Sequence, residues 1–217
     1  MKFPTLSRRQ ALAGAAALPL AATAAPSARA SAPMMGPDIP THARFRLGGF
    51  EVTTLLAGTR VVPDPHAVFG LNVGDSRFAE VSEAANIPAD RSRFFFTPTL
   101  VNTGAALILF DTGLGAEGTR AAITAAGYDP AQISNVVITH MHGDHIGGLR
   151  DGGAATFADA RHLTGRVEFE AWDMSGNATF EAQVRPFSDA GQLDFVEAGA
   201  DIAPGVTAMA AFGHTPG

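Results

Sequence analysis

Thr139-His140-Met141-His142-Gly143-Asp144-His145 is the stretch of the sequence that decides the fold. It places three imidazoles and one carboxylate within six residues, and all four side chains are good ligands for a divalent metal such as zinc. The preceding run, Val-Val-Ile-Thr at 136–139, is β-branched and apolar, which predicts a buried strand. The ligands are therefore expected at the carboxyl end of a strand, where α/β proteins usually place their chemistry.

The spacing of these ligands predicts two neighbouring metal positions. In a turn that leaves a strand, residues i and i+2 can point to the same side, so His140 and His142 are expected to share one ion. Asp144 and His145 begin the next helix and face a second position. Two divalent ions that share a hydroxide are a recurring hydrolytic device, because each lowers the pKa of the bound water. Asp144 is also the candidate catalytic base, or a residue that orients the water.

The composition is that of a globular α/β domain, and it limits the chemistry. The chain has 217 residues, 46% of them hydrophobic, which is enough for one core. Because there is no cysteine, disulfides and thiolate zinc sites are excluded, and a metal must be held by histidines and carboxylates. Removal of residues 1–30 would take away four basic residues and no acidic one, which changes the formal net charge from −6 to −10. Such acidity argues against nucleic acid as a partner and favours a small-molecule substrate.

The N-terminus has the features of an export signal, which we assign to residues 1–30. A short basic region precedes the weakly apolar, Ala-rich run 11–25, and Ala28-Arg29-Ala30 offers small residues for a signal peptidase. Ser-Arg-Arg-Gln-Ala-Leu at 7–12 resembles the twin-arginine signal, and an ordinary Sec signal is the alternative. We therefore predict a periplasmic or secreted protein.

The remaining chain is predicted to be a lead-in followed by one domain. Residues 31–42 contain three prolines and are interpreted as a flexible lead-in, and residues 43–217 form the domain. The run 11–25 is too short and too weakly apolar to be a permanent membrane span.

Strand patterns come first along the domain and are followed by strand–helix alternation. The predicted strands are 45–56 with a turn at Gly48-Gly49, 99–103, 106–110, 135–139, 161–163, 193–196 and 206–212. The predicted helices are 76–85, 119–126, one that begins at Asp144, 167–172 and 179–184. Residues 61–72 are predicted to be a loop, because Pro63, Asp64 and Pro65 favour turns.

The motif resembles that of the metallo-β-lactamase-fold hydrolases, whose His-x-His-x-Asp-His signature is complete at 140–145. Phe110-Asp111-Thr112-Gly113 is similar to the family's first motif, and Gly213-His214-Thr215-Pro216-Gly217 to its third. The resemblance covers about residues 45–217. In segments such as 99–104 and 126–130 the sequence is most similar to the exported methyl parathion hydrolase-like and lactonase-like branch.

This resemblance implies an αββα sandwich, of which mainly the N-terminal half is present. It implies a metal-dependent hydrolase in which a metal-bound hydroxide attacks an ester, lactone or organophosphate bond. The cofactors would be two divalent ions, with Zn²⁺ as first choice, and His214 would complete the first site. Asp111 would order the loop that carries the ligands.

Family members continue beyond the third motif with a bridging Asp and a final His for the second metal. On this basis we expect a C-terminally incomplete domain, because the sequence ends at Gly217. Three histidines would remain at the first site, and only Asp144 and His145 at the second. The 217-residue chain alone is predicted to be inactive and the full-length protein active, and homodimer formation is left open.

Several aromatic and histidine residues outside the motif have two interpretations. Alternate side chains of a strand point in opposite directions, so Phe94-Phe95-Phe96 should have at least one exposed ring. Phe169 and Trp172 are candidates for a substrate pocket, with packing between layers as the other interpretation. His66 and His162 are predicted to be ordinary surface or strand-end histidines.

Two other function classes are considered. The first is an iron-binding redox or sulfur-handling member of the same fold. His142 argues against it, because di-iron electron-transfer members usually have an acid at that position. The second is an inactive metal-binding fragment.

Overall fold

A computed structural model describes residues 33–34, 36 and 39–217, and Ile39–Gly217 form one compact unit. The predicted export signal and part of the predicted lead-in lie outside the described residues, so export stays a prediction. The strands β1 to β13 are His42–Leu47, Phe50–Leu55, Gly58–Pro63, Arg91–Phe96, Thr99–Asn102, Leu107–Phe110, Asn135–Ile138, Arg150–Asp151, Ala154–Ala155, Arg161–Gly165, Leu193–Val196, Asp201–Ala203 and Val206–Thr207. The helices α1 to α6 are Asp75–Ala84, Ala116–Ala125, Gly143–Ile146, Arg166–Asp173, Ala178–Gln183 and Arg185–Asp189.

The main sheet is mixed, and its parallel part positions the predicted site. Seven strands follow the order β1-β2-β5-β6-β7-β10-β11. Neighbouring strands from β1 to β6 are antiparallel, whereas β6, β7, β10 and β11 are parallel to one another. The carboxyl ends of β6, β7 and β10 therefore meet at one edge, where Asp111, Thr139 and helix α4 follow them. The predicted α/β fold class is confirmed.

Alternate residues of the central strands serve two different apolar layers. In β6 and β7, Leu109 and Val136 belong to the large core that also contains residues of α2, α4, α5 and α6. Ile108 and Val137 point to the other face, where they form a smaller cluster with Leu163. Because both faces of these strands are buried, their sequences are continuous apolar runs, as predicted for β7.

Two segments differ from the sequence-based expectation. Residues 61–63 are not loop: they end β3, which pairs antiparallel with β4, because Val61 and Val62 are β-branched and Pro63 stands at the strand end. The predicted strand 206–212 is only Val206–Thr207. Beyond it, Ala208 bonds to the backbone at 199–200, and the chain then leaves the ladder.

The three consecutive phenylalanines behave as a strand requires. They lie in β4, where Phe96 is buried and Phe95 is 49% exposed, so the expectation of at least one exposed ring is confirmed. None of the described helices is long and apolar enough to cross a membrane.

Candidate metal centre

Three imidazoles from two distant segments converge at the sheet edge. His140 and His142 lie in the loop after β7, residues 139–142, and His214 lies in the loop 213–217, hereafter the His214 loop. His140 Nε2 is 3.1 Å from His142 Nδ1, which is 3.1 Å from His214 Nε2. One ligand atom from each residue lies within 4.8 Å of the other two. We call these three residues the imidazole cluster.

The imidazole cluster fits a divalent ion better than a set of hydrogen bonds. His142 Nδ1 carries either one hydrogen or one lone pair, so it cannot make two good hydrogen bonds with its two neighbours. Zinc–nitrogen bonds of 2.0–2.1 Å in a tetrahedral site separate the ligand nitrogens by about 3.3 Å, close to the two distances of 3.1 Å from His142 Nδ1. Three neutral imidazoles around one point are a standard zinc donor set. The residues present therefore fit the metal that the sequence predicts.

Electrostatics keep His140 in the form that binds metal. Burial and the neighbouring His145 lower the pKa of His140, and the charge of Asp111 opposes this only in part. The neutral imidazole, which has a free lone pair, is therefore favoured at neutral pH.

Asp144 and His145 lie beside the imidazole cluster. His145 Nε2 is 3.6 Å from Asp144 Oδ2, and the His145 ring centroid is 3.8 Å from that of His140. Both residues belong to α3, a single turn that begins at Gly143. The structure thus brings together the pair for which the sequence predicts a second metal position.

Asp111 organises both halves of this site from the end of β6. Its backbone is left-handed, with φ of 61°, a conformation that Asp tolerates better than most residues. The carboxylate accepts hydrogen bonds from Thr139 N at 2.9 Å, Thr139 Oγ1 at 2.9 Å and His145 Nδ1 at 2.8 Å. Thr139 Oγ1 also lies 3.1 Å from His140 Nδ1. Asp111 therefore lies in a position from which it can order the loop that carries the predicted ligands.

The bond to Asp111 also fixes the tautomer of His145. Because the carboxylate accepts the Nδ1 hydrogen, the neutral form of the ring has its lone pair on Nε2, the nitrogen next to Asp144. Burial lowers the pKa of His145, but the hydrogen bond to Asp111 and the charges of Asp111 and Asp144 outweigh burial and raise it.

Gly148, just after α3, has no side chain and so allows the first motif, residues 110–113, to pack directly against this part of the chain. A Cβ on Gly148 would stand only 2.2 Å from the carbonyl oxygen of Thr112. Thr112 donates from both its backbone nitrogen and its hydroxyl to the His145 carbonyl, each over 2.8 Å. This close packing fixes α3 relative to the loop that contains Asp111.

A buried carboxylate that the sequence did not single out lies behind the imidazole cluster. Glu168 in the first turn of α4 has no exposed surface. It accepts hydrogen bonds from the backbone nitrogens of Met141 and Gly217. An acid in the first helical turn usually interacts with the helix end or solvent, so the local sequence contains no signal of this contact.

The two candidate pocket residues occupy different environments. The half-buried Trp172 places its ring centroid 5.5 Å from that of His142, with the two planes nearly perpendicular. Phe169 is buried in the core, where it contacts Phe180 and Phe195. The structure therefore places Trp172 beside the cluster and Phe169 within the apolar core.

His66 and His162, the other two histidines interpreted from the sequence, lie outside the imidazole cluster. His66 pairs with Asp75 at 3.0 Å. His162 is not a surface residue: it is 4% exposed and stacks on Phe187, because its position in β10 points into the helical layer. Burial lowers the pKa of His162 to about 4, although a hydrogen bond to the Ala160 carbonyl opposes the shift.

An apolar cleft of about 510 Å³ opens next to the cluster, with His140 and His214 in its wall. The other walls include Phe110, Val137 and Val196 from the sheet face opposite the large core. Imidazoles and apolar side chains thus share one cleft.

Comparison with known proteins places this geometry in a family. The family model described as the metallo-beta-lactamase superfamily matches residues 97–217. The chain belongs to this superfamily. The match includes all the predicted metal ligands and Asp111, and the resemblance at the level of the superfamily is confirmed.

Solved structures of metallo-beta-lactamase-fold proteins are similar to this one. The dizinc quorum-quenching lactonase AidC, solved with a product, has a TM-score of 0.65 and 18% identity over 75% of this chain and 63% of its own. The hydrolase AbOPH of the beta lactamase superfamily has a TM-score of 0.64 and 20% identity over 76% of this chain and 64% of its own. At these identities the likeness shows the fold alone.

Among curated proteins of the superfamily, the ribonuclease Z of Pyrococcus furiosus is 43% identical over 49 residues. That segment is 23% of this chain and 15% of the ribonuclease. The chain spans less than two thirds of the length of each of these relatives.

Proposed function

We propose that the protein is a metal-dependent hydrolase of small organic esters, lactones or organophosphate triesters. The convergence of His140, His142 and His214 on one point carries this proposal, because three neutral imidazoles would hold a divalent ion there. Asp144 and His145 lie next to it as ligands for a second ion. Divalent ions bound by these residues would supply a nucleophilic water at neutral pH and polarise the bond to be cleaved.

The residues around the imidazole cluster have separate tasks in this proposal. Asp144 is 39% exposed at its side chain, so its carboxylate can reach substrate and solvent and can accept or return a proton at Oδ2. Asp111 keeps the hydrogen of His145 on Nδ1 and holds Thr139 against His140. Trp172 would contact the substrate beside His142.

The proposed substrate class rests on charge and on an aromatic contact beside the cluster. The ring of Trp172, next to His142, would contact the apolar part of an ester or lactone. The formal net charge of −6 disfavours a polyanionic substrate. The lactonase AidC has the same fold, and the ribonuclease Z segment makes RNA the competing substrate class.

The test combines metal analysis with a substrate panel. The purified full-length protein is loaded with Zn²⁺, its metal content is measured, and it is offered an N-acyl homoserine lactone, a 4-nitrophenyl ester, an organophosphate triester and a short RNA. We expect metal to bind, with hydrolysis of a small ester, lactone or triester in preference to RNA.

Two variants make the result specific. His140→Ala should abolish hydrolysis and lower the metal content, whereas His66→Ala, which alters a histidine outside the cluster, should leave both unchanged. RNA cleavage with no small-molecule hydrolysis would reassign the substrate class. Hydrolysis that survives His140→Ala would contradict the proposal.

A further inference from the structure

Glu168 is fully buried, and its carboxylate bridges the two loops that supply the imidazole cluster. One oxygen, Oε1, accepts from the backbone nitrogen of Met141 at 2.9 Å, and the other, Oε2, accepts from that of Gly217 at 3.1 Å. Met141 stands between His140 and His142, and Gly217 is three residues beyond His214. A single side chain thus contacts both ligand-bearing segments through their main chains.

The chemistry of the bridge suits an ionised carboxylate. Both of its oxygens are acceptors, and each faces one N–H donor. Glu168 also occupies the first turn of the eight-residue helix α4, where the helix dipole stabilises negative charge. An amide at this position would direct hydrogens at one of the two N–H groups, so it could satisfy only half of the bridge.

The contact between Gly217 and α4 is too close for any other residue. A Cβ on Gly217 would lie 2.2 Å from the Glu168 backbone nitrogen and 2.7 Å from its Cα. The backbone of the His214 loop therefore packs directly on the first turn of α4. This packing and the carboxylate bridge both join the His214 loop to the first turn of α4.

We propose that Glu168 is a positioning residue of the metal centre, which holds loop 139–142 and the His214 loop at the separation that lets His140, His142 and His214 share one ion. The inference rests on the metal centre of the proposed function but not on its substrate. A buried carboxylate adds little net stability compared with an apolar side chain of similar size, because its desolvation offsets its hydrogen bonds. The effect expected of the carboxylate is therefore the alignment of the two loops, together with the packing of Gly217 on α4.

The experiment compares the Zn²⁺ affinity of the full chain with that of Glu168→Gln, by competition with a chelating dye. The expected loss is about 10–100-fold, the usual effect of removing a group that orients ligands. Glu170→Gln changes an exposed acid on the same helix and should retain the wild-type affinity. Urea unfolding of the metal-free proteins gives the folded fraction, and the absorption of bound Co²⁺ reports the ligand set.

A double-mutant cycle separates positioning from general stability. Glu168 is proposed to position His214. The loss of Zn²⁺ affinity caused by Glu168→Gln should therefore be smaller in a His214→Ala background than in the wild type. Gly217→Ala leaves the carboxylate in place but displaces the same contact, so it should also weaken Zn²⁺ binding and alter the Co²⁺ spectrum, even where Glu168→Gln folds poorly.

The outcomes distinguish the two proposals. If Glu168→Gln and Gly217→Ala lower only the free energy of unfolding, with unchanged Zn²⁺ affinity of the folded protein, the positioning role is overturned. A wild-type chain that binds no Zn²⁺ overturns the metal centre and this inference with it. Zn²⁺ binding by the full-length protein without hydrolysis of any substrate contradicts the proposed function and leaves the role of Glu168 standing.

Discussion

The Asp111 carboxylate accepts the Nδ1 hydrogen of His145 over 2.8 Å and thereby joins the end of β6 to helix α3, 34 residues along the chain. The same carboxylate bonds to Thr139 at the end of β7. One acid therefore ties two adjacent parallel strands to the helix that contains Asp144. Its removal should affect the position next to the imidazole cluster more than the cluster itself.

We predict that Asp111→Asn lowers metal affinity at the Asp144–His145 position by about 10–100-fold. The amide can accept from Thr139 or from His145, but its NH₂ group cannot replace the second oxygen. Metal stoichiometry at rising Zn²⁺ concentration measures the effect. Asp159→Asn, at an exposed position, is the matched control. Unchanged stoichiometry in Asp111→Asn would show that His145 needs no orienting partner.

Trp172→Ala should change KM or substrate preference more than metal content. Its ring lies 5.5 Å from the His142 ring but supplies no ligand atom, so its loss removes contact area beside the cluster. Steady-state kinetics on two substrates of different chain length, together with metal analysis, make the measurement. A loss of stability alone, with the ratio of kcat/KM values preserved, would argue against a role in the pocket.

Gly148→Ala should destabilise the fold by about 1–3 kcal/mol, the usual cost of inserting a methyl group where there is no space. Its Cβ would meet the Thr112 carbonyl at 2.2 Å, and neither backbone segment can move without disturbing the His145 contact. Urea denaturation measures the loss. At Gly58 a Cβ meets nothing within 4 Å, so Gly58→Ala should cost far less. Equal losses in the two variants would contradict the close-packing argument.

Acidification should destabilise the protein through His162. Its folded-state pKa of about 4 lies below the ordinary value of 6.5, so the unfolded chain binds the proton more readily. The contribution of His162 to the free energy of unfolding is complete above pH 6.5 and is lost as the pH falls towards 4. On this basis the free energy of unfolding should be about 2 kcal/mol lower at pH 5 than at pH 7.5.

The difference between wild type and His162→Gln in urea unfolding at several pH values isolates this effect. Gln does not titrate, so the variant should show a flatter pH profile. Parallel profiles for wild type and His162→Gln would exclude His162 as the source.

Local chemistry explains why much of the centre was predictable. His140, His142, Asp144 and His145 lie within six residues after an apolar run, so their grouping depends only on a strand followed by a turn. The hairpin at Gly48-Gly49 and most helix positions are equally local. The prediction for 206–212 was wrong because a strand needs a partner, and the antiparallel partner β12 begins at Asp201, which already pairs with Thr207.

The sequence by itself determined the superfamily, and it predicted the donor set and the edge of the sheet at which the histidines meet, because residue type and short spacing are properties of the chain. Only the tertiary structure decided that His142 turns Nδ1 towards His214, 72 residues away, that Phe169 enters the core, and that Glu168 bridges two loops. These contacts join residues that are far apart in the sequence, so they depend on how the helices pack on the sheet. A pattern of residue types does not show which distant segments meet, whereas the packing of α4 against β10 brings them together.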